Sequence, residues 1–271
     1  MAVFKLFDAL ILPVISYGCQ NWLQTTQFAK IFLQNYSGKI VLQKIASDPI
    51  EKLHLRFLKW TMRVHKKCSN LACYGDSGRY PLAIKISKQV VNFYNRLENL
   101  NAANTPSPVR QAFVEQRTNN LTWHKNMTAL LHLAGHTTQT LASPEGVRMQ
   151  LQNYFDNLWD EQRKISKKLS FYNQVKKPSK IEFEPYLNLK DERERKSLMR
   201  LRSRSHLLNC ETARYITNDE LTKRQHTPSW LKRCEFCTAE EALYLTHLPF
   251  SNIIEEDELH VLIACPRYHD A

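Results

Sequence analysis

Between residues 48 and 66 apolar side chains recur at Leu53, Phe57, Trp60, Met62 and Val64, with His54, Arg56, Lys59 and Arg63 between them. That spacing is close to the 3.6-residue period of an amphipathic helix, and Asp48-Pro49 supplies a cap and a first helical residue. The pattern stops near Lys66-Lys67. Gly75-Asp76-Ser77-Gly78-Arg79-Tyr80-Pro81-Leu82 reads as a turn, and over 81–100 the residues Ile84, Ile86, Val90, Val91, Tyr94, Leu97 and Leu100 mark a second long helix. Residues 101–108 carry two prolines and little to bury, which predicts a linker. Ser143-Pro144-Glu145 starts another helix, which Leu151, Tyr154, Phe155, Leu158, Trp159 and Ile165 continue to about Val175 before a break at Lys177-Pro178-Ser179. A further helix is predicted over 191–208, with Leu198, Leu201 and Leu207 on one side and basic residues on the rest. No internal repeat interrupts the series.

Only 6 glycines and 11 prolines occur in 271 residues, so the composition agrees with a mainly α fold rather than a turn-rich sandwich or barrel. The length suits one large domain or two ordinary ones, and 43% hydrophobic residues can fill a core.

Charge adds a partner to this picture. The formal net charge is +12, a field that attracts nucleic acid or an anionic membrane. Residues 162–233 hold 19 Lys and Arg against 8 Asp and Glu, an excess of 11 that accounts for nearly all of it. A membrane anchor is not expected. The best candidate, 4–15, is interrupted by Lys5, Asp8 and Pro13 and is too short for a bilayer core of about 30 Å. Asp8 also spoils a secretory signal, so a nuclear or cytoplasmic protein is predicted, neither secreted nor transmembrane. The odd count of seven cysteines argues against a disulfide framework, and in a reducing compartment clustered cysteines more often hold metal.

The chemistry lies near the end of the chain. Cys234 and Cys237 form a Cys-x2-Cys pair, and after 22 residues His260 and Cys265 form a His-x4-Cys pair. Two thiolates from one tight turn and two further donors complete the tetrahedron that zinc accepts, with no open position, so a structural zinc is expected. The alternative is a buried cysteine pair, a surface histidine and a core cysteine. His247 competes as a ligand, but no partner follows it at the right spacing. On a regular helix Cys265 would lie about 140° round from His260, and Pro266 disfavours helix there, so the helix is expected to end at Cys265 and its thiolate to fold back towards the ion.

Arg193, Arg195, Lys196, Arg200, Arg202 and Arg204 on the basic helix, with Lys232, Arg233 and Arg267 flanking the cysteine-histidine motif, are the candidate phosphate contacts. A solvated charged face is the plain alternative. The expected partner is RNA, DNA or both, held by salt-dependent and weakly sequence-specific contacts, with no small-molecule substrate. Trp159, Tyr172 and Trp230 offer stacking surfaces, although such residues are more often core.

Several of these pieces resemble the C-terminal part of non-LTR (LINE-like) retrotransposon reverse transcriptases. Leu6 to Gly18, with its Pro13 and Tyr17-Gly18, is similar to the segment just beyond that family's palm; residues 75–82 are similar to its Gly-x-x-Gly-Arg-x-Pro-Leu turn. Arg202-Ser203-Arg204-Ser205-His206-Leu207-Leu208, with Glu211 and Arg214-Tyr215, resembles the stretch before the family's zinc motif, and 256–268 resembles the motif itself. The resemblance implies a thumb-like helical region over 1–100, a connector over 101–142, a basic helical region over 143–230 and a zinc-binding module over 231–271. It also implies that the tail holds template RNA or target DNA. The long 23–48 join and the extended cysteine-to-histidine loop depart from the family. The polymerase's paired Asp-Asp for two metal ions occurs nowhere in the sequence, so neither polymerase nor nuclease activity is expected of this chain. Two other readings stay open: one part of a longer, active reverse transcriptase, and a relic that does not fold.

Overall fold

The computed structural model describes residues 2–19, 37–103, 106–135, 142–176, 180–205, 234, 237 and 260–265. The fold is mainly α. Among the described residues there is no strand, only an isolated antiparallel bridge between Ser77 and Phe183.

The chain opens with α1 (Ala2–Leu6), a wide π-type turn (Phe7–Ile11) and α2 (Leu12–Ser16). Pro13 has no N–H to donate, and the wide turn, closed by the Leu12 N–H on the Phe7 carbonyl, shifts the ladder so that this proline falls in the first turn of α2. Gly18 then takes φ +64°, past the helix end. Asp8 anchors the segment, its carboxylate 2.5 Å from Nη2 of Arg79 and 2.7 Å from Nζ of Lys85.

Side-chain caps set the starts of four later helices. Asp48 lies between α3 (Gly38–Ser47) and α4 (Pro49–Thr61), and its carboxylate accepts from the Ile50 N–H at 3.0 Å. After α5 (Asn70–Ser77) and α6 (Leu82–Ala102), Ser107 caps α7 (Pro108–Thr118) through the Arg110 N–H at 3.1 Å. Beyond α8 (Thr122–Leu133), Ser143 caps α9 (Pro144–Ile165), accepting from Gly146 at 3.2 Å. The predicted run to Val175 is broken at Ser166 by a 3-10 turn (Lys167–Leu169) leading into α10 (Ser170–Val175). A second 3-10 turn (Pro185–Asn188) precedes α11 (Glu192–Arg202), capped by Asp191 on the Arg193 N–H at 2.6 Å.

Helix α6 packs along α9, and α5 lies against both α4 and the fully buried Trp159. One buried cluster runs from Phe4 to Met199 and draws on residues from 1–100, 101–142 and 143–230. The segment 75–82, predicted as a turn, is the last turn of α5 followed by a short reversal, and it is the hub of this core. Gly75 is needed for close approach, because a Cβ there would collide with the Tyr172 hydroxyl and the Trp159 ring. Gly78 ends α5 at φ +65°, where a Cβ would also lie 2.5 Å from the Phe183 nitrogen. Between them Asp76 is fully buried: Oδ1 accepts from Tyr172 at 2.9 Å and Oδ2 from Tyr186 at 2.6 Å. Arg202 donates to both of these oxygens at 3.2 Å. Burial, and then the Asp76 charge, holds both phenols well above their ordinary range.

On two helices part of the predicted apolar pattern faces solvent. On α4 the buried positions are Glu51, His54, Leu55 and Leu58, while Leu53 is 48% and Trp60 60% exposed. Two polar residues occupy the inner face because they satisfy one another. Glu51 Oε1 lies 2.8 Å from His54 Nδ1 and accepts from the Tyr74 hydroxyl at 2.7 Å; Oε2 accepts from the Leu82 N–H at 2.7 Å. Arg79 donates to His54 Nε2 at 3.3 Å, which leaves Nδ1 as the donor to Glu51. On α11 Met199 is the buried side chain, held against the Tyr186 hydroxyl, and Leu198 is exposed.

Candidate metal centre and basic surface

Cys234, Cys237, His260 and Cys265 come together, with one ligand atom from each, all within 4.8 Å of one another. Cys265 Sγ lies 3.8 Å from Cys234 Sγ and 3.7 Å from Cys237 Sγ. These separations are far beyond a disulfide bond of about 2.05 Å, and the three thiols are free. They match another geometry. Four donors arranged tetrahedrally around one ion, with metal–sulfur bonds of about 2.3 Å, place sulfurs about 3.8 Å apart.

The cluster is shielded from solvent. The three sulfur side chains form a buried group of their own, and His260 is 9% exposed. Local backbone explains how residues five apart meet. His260–Ala264 is a wide π-type turn, closed by the Cys265 N–H on the His260 carbonyl at 2.7 Å. An α-turn would leave Cys265 about 140° from His260; the i→i+5 turn, which ends at Ala264, brings the Cys265 sulfur round to the other two. Burial and the neighbouring Cys265 and Cys234 sulfurs push the Cys237 thiol up to about 12. Three thiolates in such a space need a cation. The donor set therefore fits a metal ion. Among the described residues no other group of three such donors is found. Cys68 and Cys73, which the sequence spacing did not single out, form a second buried pair with sulfurs 4.0 Å apart.

The basic residues separate into distinct roles. Arg193 is exposed, and Arg195, Lys196, Arg200 and Arg204 are partly exposed. Arg202 faces inward. Its guanidinium pairs with Asp76 and, at 3.2 Å, with Glu184, and lies 5.1 Å from the centroid of the Tyr186 ring. Burial works against its charge, but Asp76 and Glu184 outweigh that and raise its affinity for the proton. Arg200 Nε donates to the Arg63 carbonyl at 3.3 Å and Arg204 Nη1 to the Lys167 carbonyl at 3.4 Å. Lys232, Arg233, Arg267 and Trp230 lie outside the described residues. Of the other aromatics flagged for stacking, Trp159 and Tyr172 are fully buried core.

No described helix is long and apolar enough to cross a membrane. No protein-family model, curated protein or solved structure matches the chain.

Proposed function

We propose that this chain is a non-catalytic nucleic-acid-binding module, derived from the C-terminal region of a non-LTR retrotransposon reverse transcriptase and held at its own C-terminal end by a structural zinc ion. The observation that carries the reading is the convergence of Cys234, Cys237, His260 and Cys265 within 4.8 Å, with Cys265 at 3.7–3.8 Å from the other two sulfurs. Three thiolates and an imidazole form a closed donor set that suits zinc, whose lack of geometric preference and borderline softness accept three sulfurs and one nitrogen. Support for a polyanionic partner comes from the concentration of positive charge over 162–233 and from the outward position of Arg193 on α11. The same helix has a structural reason for part of its charge, because Glu192 and Glu194 in the first turn and Arg200 and Arg202 in the last complement the helix dipole.

Binding of this kind displaces counterions. With about five phosphate contacts to a single strand, affinity falls roughly 100-fold between 50 and 200 mM salt. Fluorescence anisotropy with labelled RNA and single-stranded DNA, titrated across that range, measures the slope. Affinity that stays flat with salt contradicts the electrostatic basis.

A further inference from the structure

Trp60 stands on the last turn of α4 with 60% of its surface exposed, beside a cavity of about 270 Å³. The walls of that cavity include Arg63, Asn188, Glu192 and Arg195. Single exposed apolar residues are ordinary, but this tryptophan is framed by charge. Arg63 follows the helix end in the left-handed region, at φ +56°, a conformation unfavourable for arginine. Its guanidinium lies 5.4 Å from the centroid of the Trp60 ring. Nε of Arg63 is held 3.2 Å from a carboxylate oxygen of Glu192, and Nη1 of Arg195 donates to the Leu189 carbonyl at 2.8 Å. Arg63, paired with Glu192, thus covers one side of a largely exposed indole, and Arg195 lines the same cavity.

From this arrangement we infer that the Trp60 cavity is a nucleobase-stacking subsite, which gives the chain a preference for single-stranded over duplex nucleic acid. The inference rests on the nucleic-acid reading above and adds where an unpaired base is received. Every base has a π-face that stacks on an indole, whereas the bases of a duplex are already stacked on one another. Arg63 and Arg195 line the cavity and supply positive charge for the flanking phosphates, and the Asn188 amide offers a donor and an acceptor to the base edge. Charge complementarity selects a nucleic acid over an apolar protein segment as the occupant. The indole supplies the base-dependent part of the affinity and the arginines the salt-dependent part.

The test uses the full chain, a short single-stranded RNA, the same strand made abasic, and its duplex. Trp60→Ala is expected to weaken binding of the base-bearing strand about tenfold. The salt slope and duplex affinity stay as in the wild type, and Trp60→Phe retains most of the binding. On the abasic strand Trp60→Ala loses nothing further, since the group it would contact is gone. A melting transition like that of the wild type shows that the variant is folded. If the wild type binds the strand in a salt-dependent way but Trp60→Ala binds it equally well, the subsite is wrong and the nucleic-acid reading survives. Wild-type protein that binds none of the three contradicts both. Loss of self-association in Trp60→Ala, with RNA binding unchanged, would overturn the subsite in favour of an interface between copies.

Discussion

Asp76→Ala is expected to lower the stability of the chain by about 3–5 kcal/mol, the cost of leaving one partner of a buried ion pair uncompensated. Asp76 is fully buried, and its two oxygens receive Tyr172, Tyr186 and the Nε–Nη2 edge of Arg202. Removing the carboxylate strands two phenols and a guanidinium whose side chain is 14% exposed. Glu184 remains near Arg202, but it also holds the buried Lys176. The effect is more than local, because Arg202 lies on α11 and Asp76 on α5, so this network ties the basic helix to the core. Asp76→Asn keeps one acceptor oxygen and the shape, and should cost about 1–3 kcal/mol. Urea unfolding followed by the tryptophan signal measures both. An Asp76→Ala midpoint equal to that of the wild type would show that the network contributes nothing to holding α11.

The second large effect concerns the metal. Cys234→Ser combined with Cys237→Ser removes two of four donors and should weaken zinc binding by on the order of 1,000-fold or more. Binding energy at such a site is also folding energy, so amide protection over 260–265 is expected to collapse in the double variant. The three buried sulfurs share no member with the cluster that runs from Phe4 to Met199, so the main unfolding transition should be little changed. Unchanged zinc content in the double variant would rule out these ligands.

What the sequence made legible was mostly local. Asp48-Pro49, Ser143-Pro144 and Asp191 stand at helix starts because a cap is a contact between a side chain and backbone two or three residues away, whereas Ser107-Pro108, read as part of a linker, caps a helix in the same way. The four clustered donors could be picked out because Cys-x2-Cys and His-x4-Cys each bring two ligands from one turn, although the wide turn at 260–264 was hidden in that spacing. Long-range packing was not legible. Of the apolar pattern on α4, Phe57 and Met62 do pack in the core but Leu53 and Trp60 face solvent, and Glu51 and His54 enter the core only as partners of each other and of Tyr74 and Leu82. Residues 75–82 looked like a turn from their glycines. Gly75 instead sits inside α5, where Trp159 and Tyr172 from distant helices press on it. The same kind of error concealed the exposed aromatic: Trp60 fitted the helical period, while Trp159 and Tyr172, set beside basic runs, drew attention as stacking residues although both are core.

X-ray absorption at the zinc edge, on protein purified without added metal and weighed intact by native mass spectrometry, reads the ligand shell at the cysteine-histidine cluster. One zinc per chain is expected, with three sulfurs at about 2.3 Å and one nitrogen at about 2.0–2.1 Å. A folded chain that carries no metal, or a zinc shell made mainly of oxygen, would contradict it.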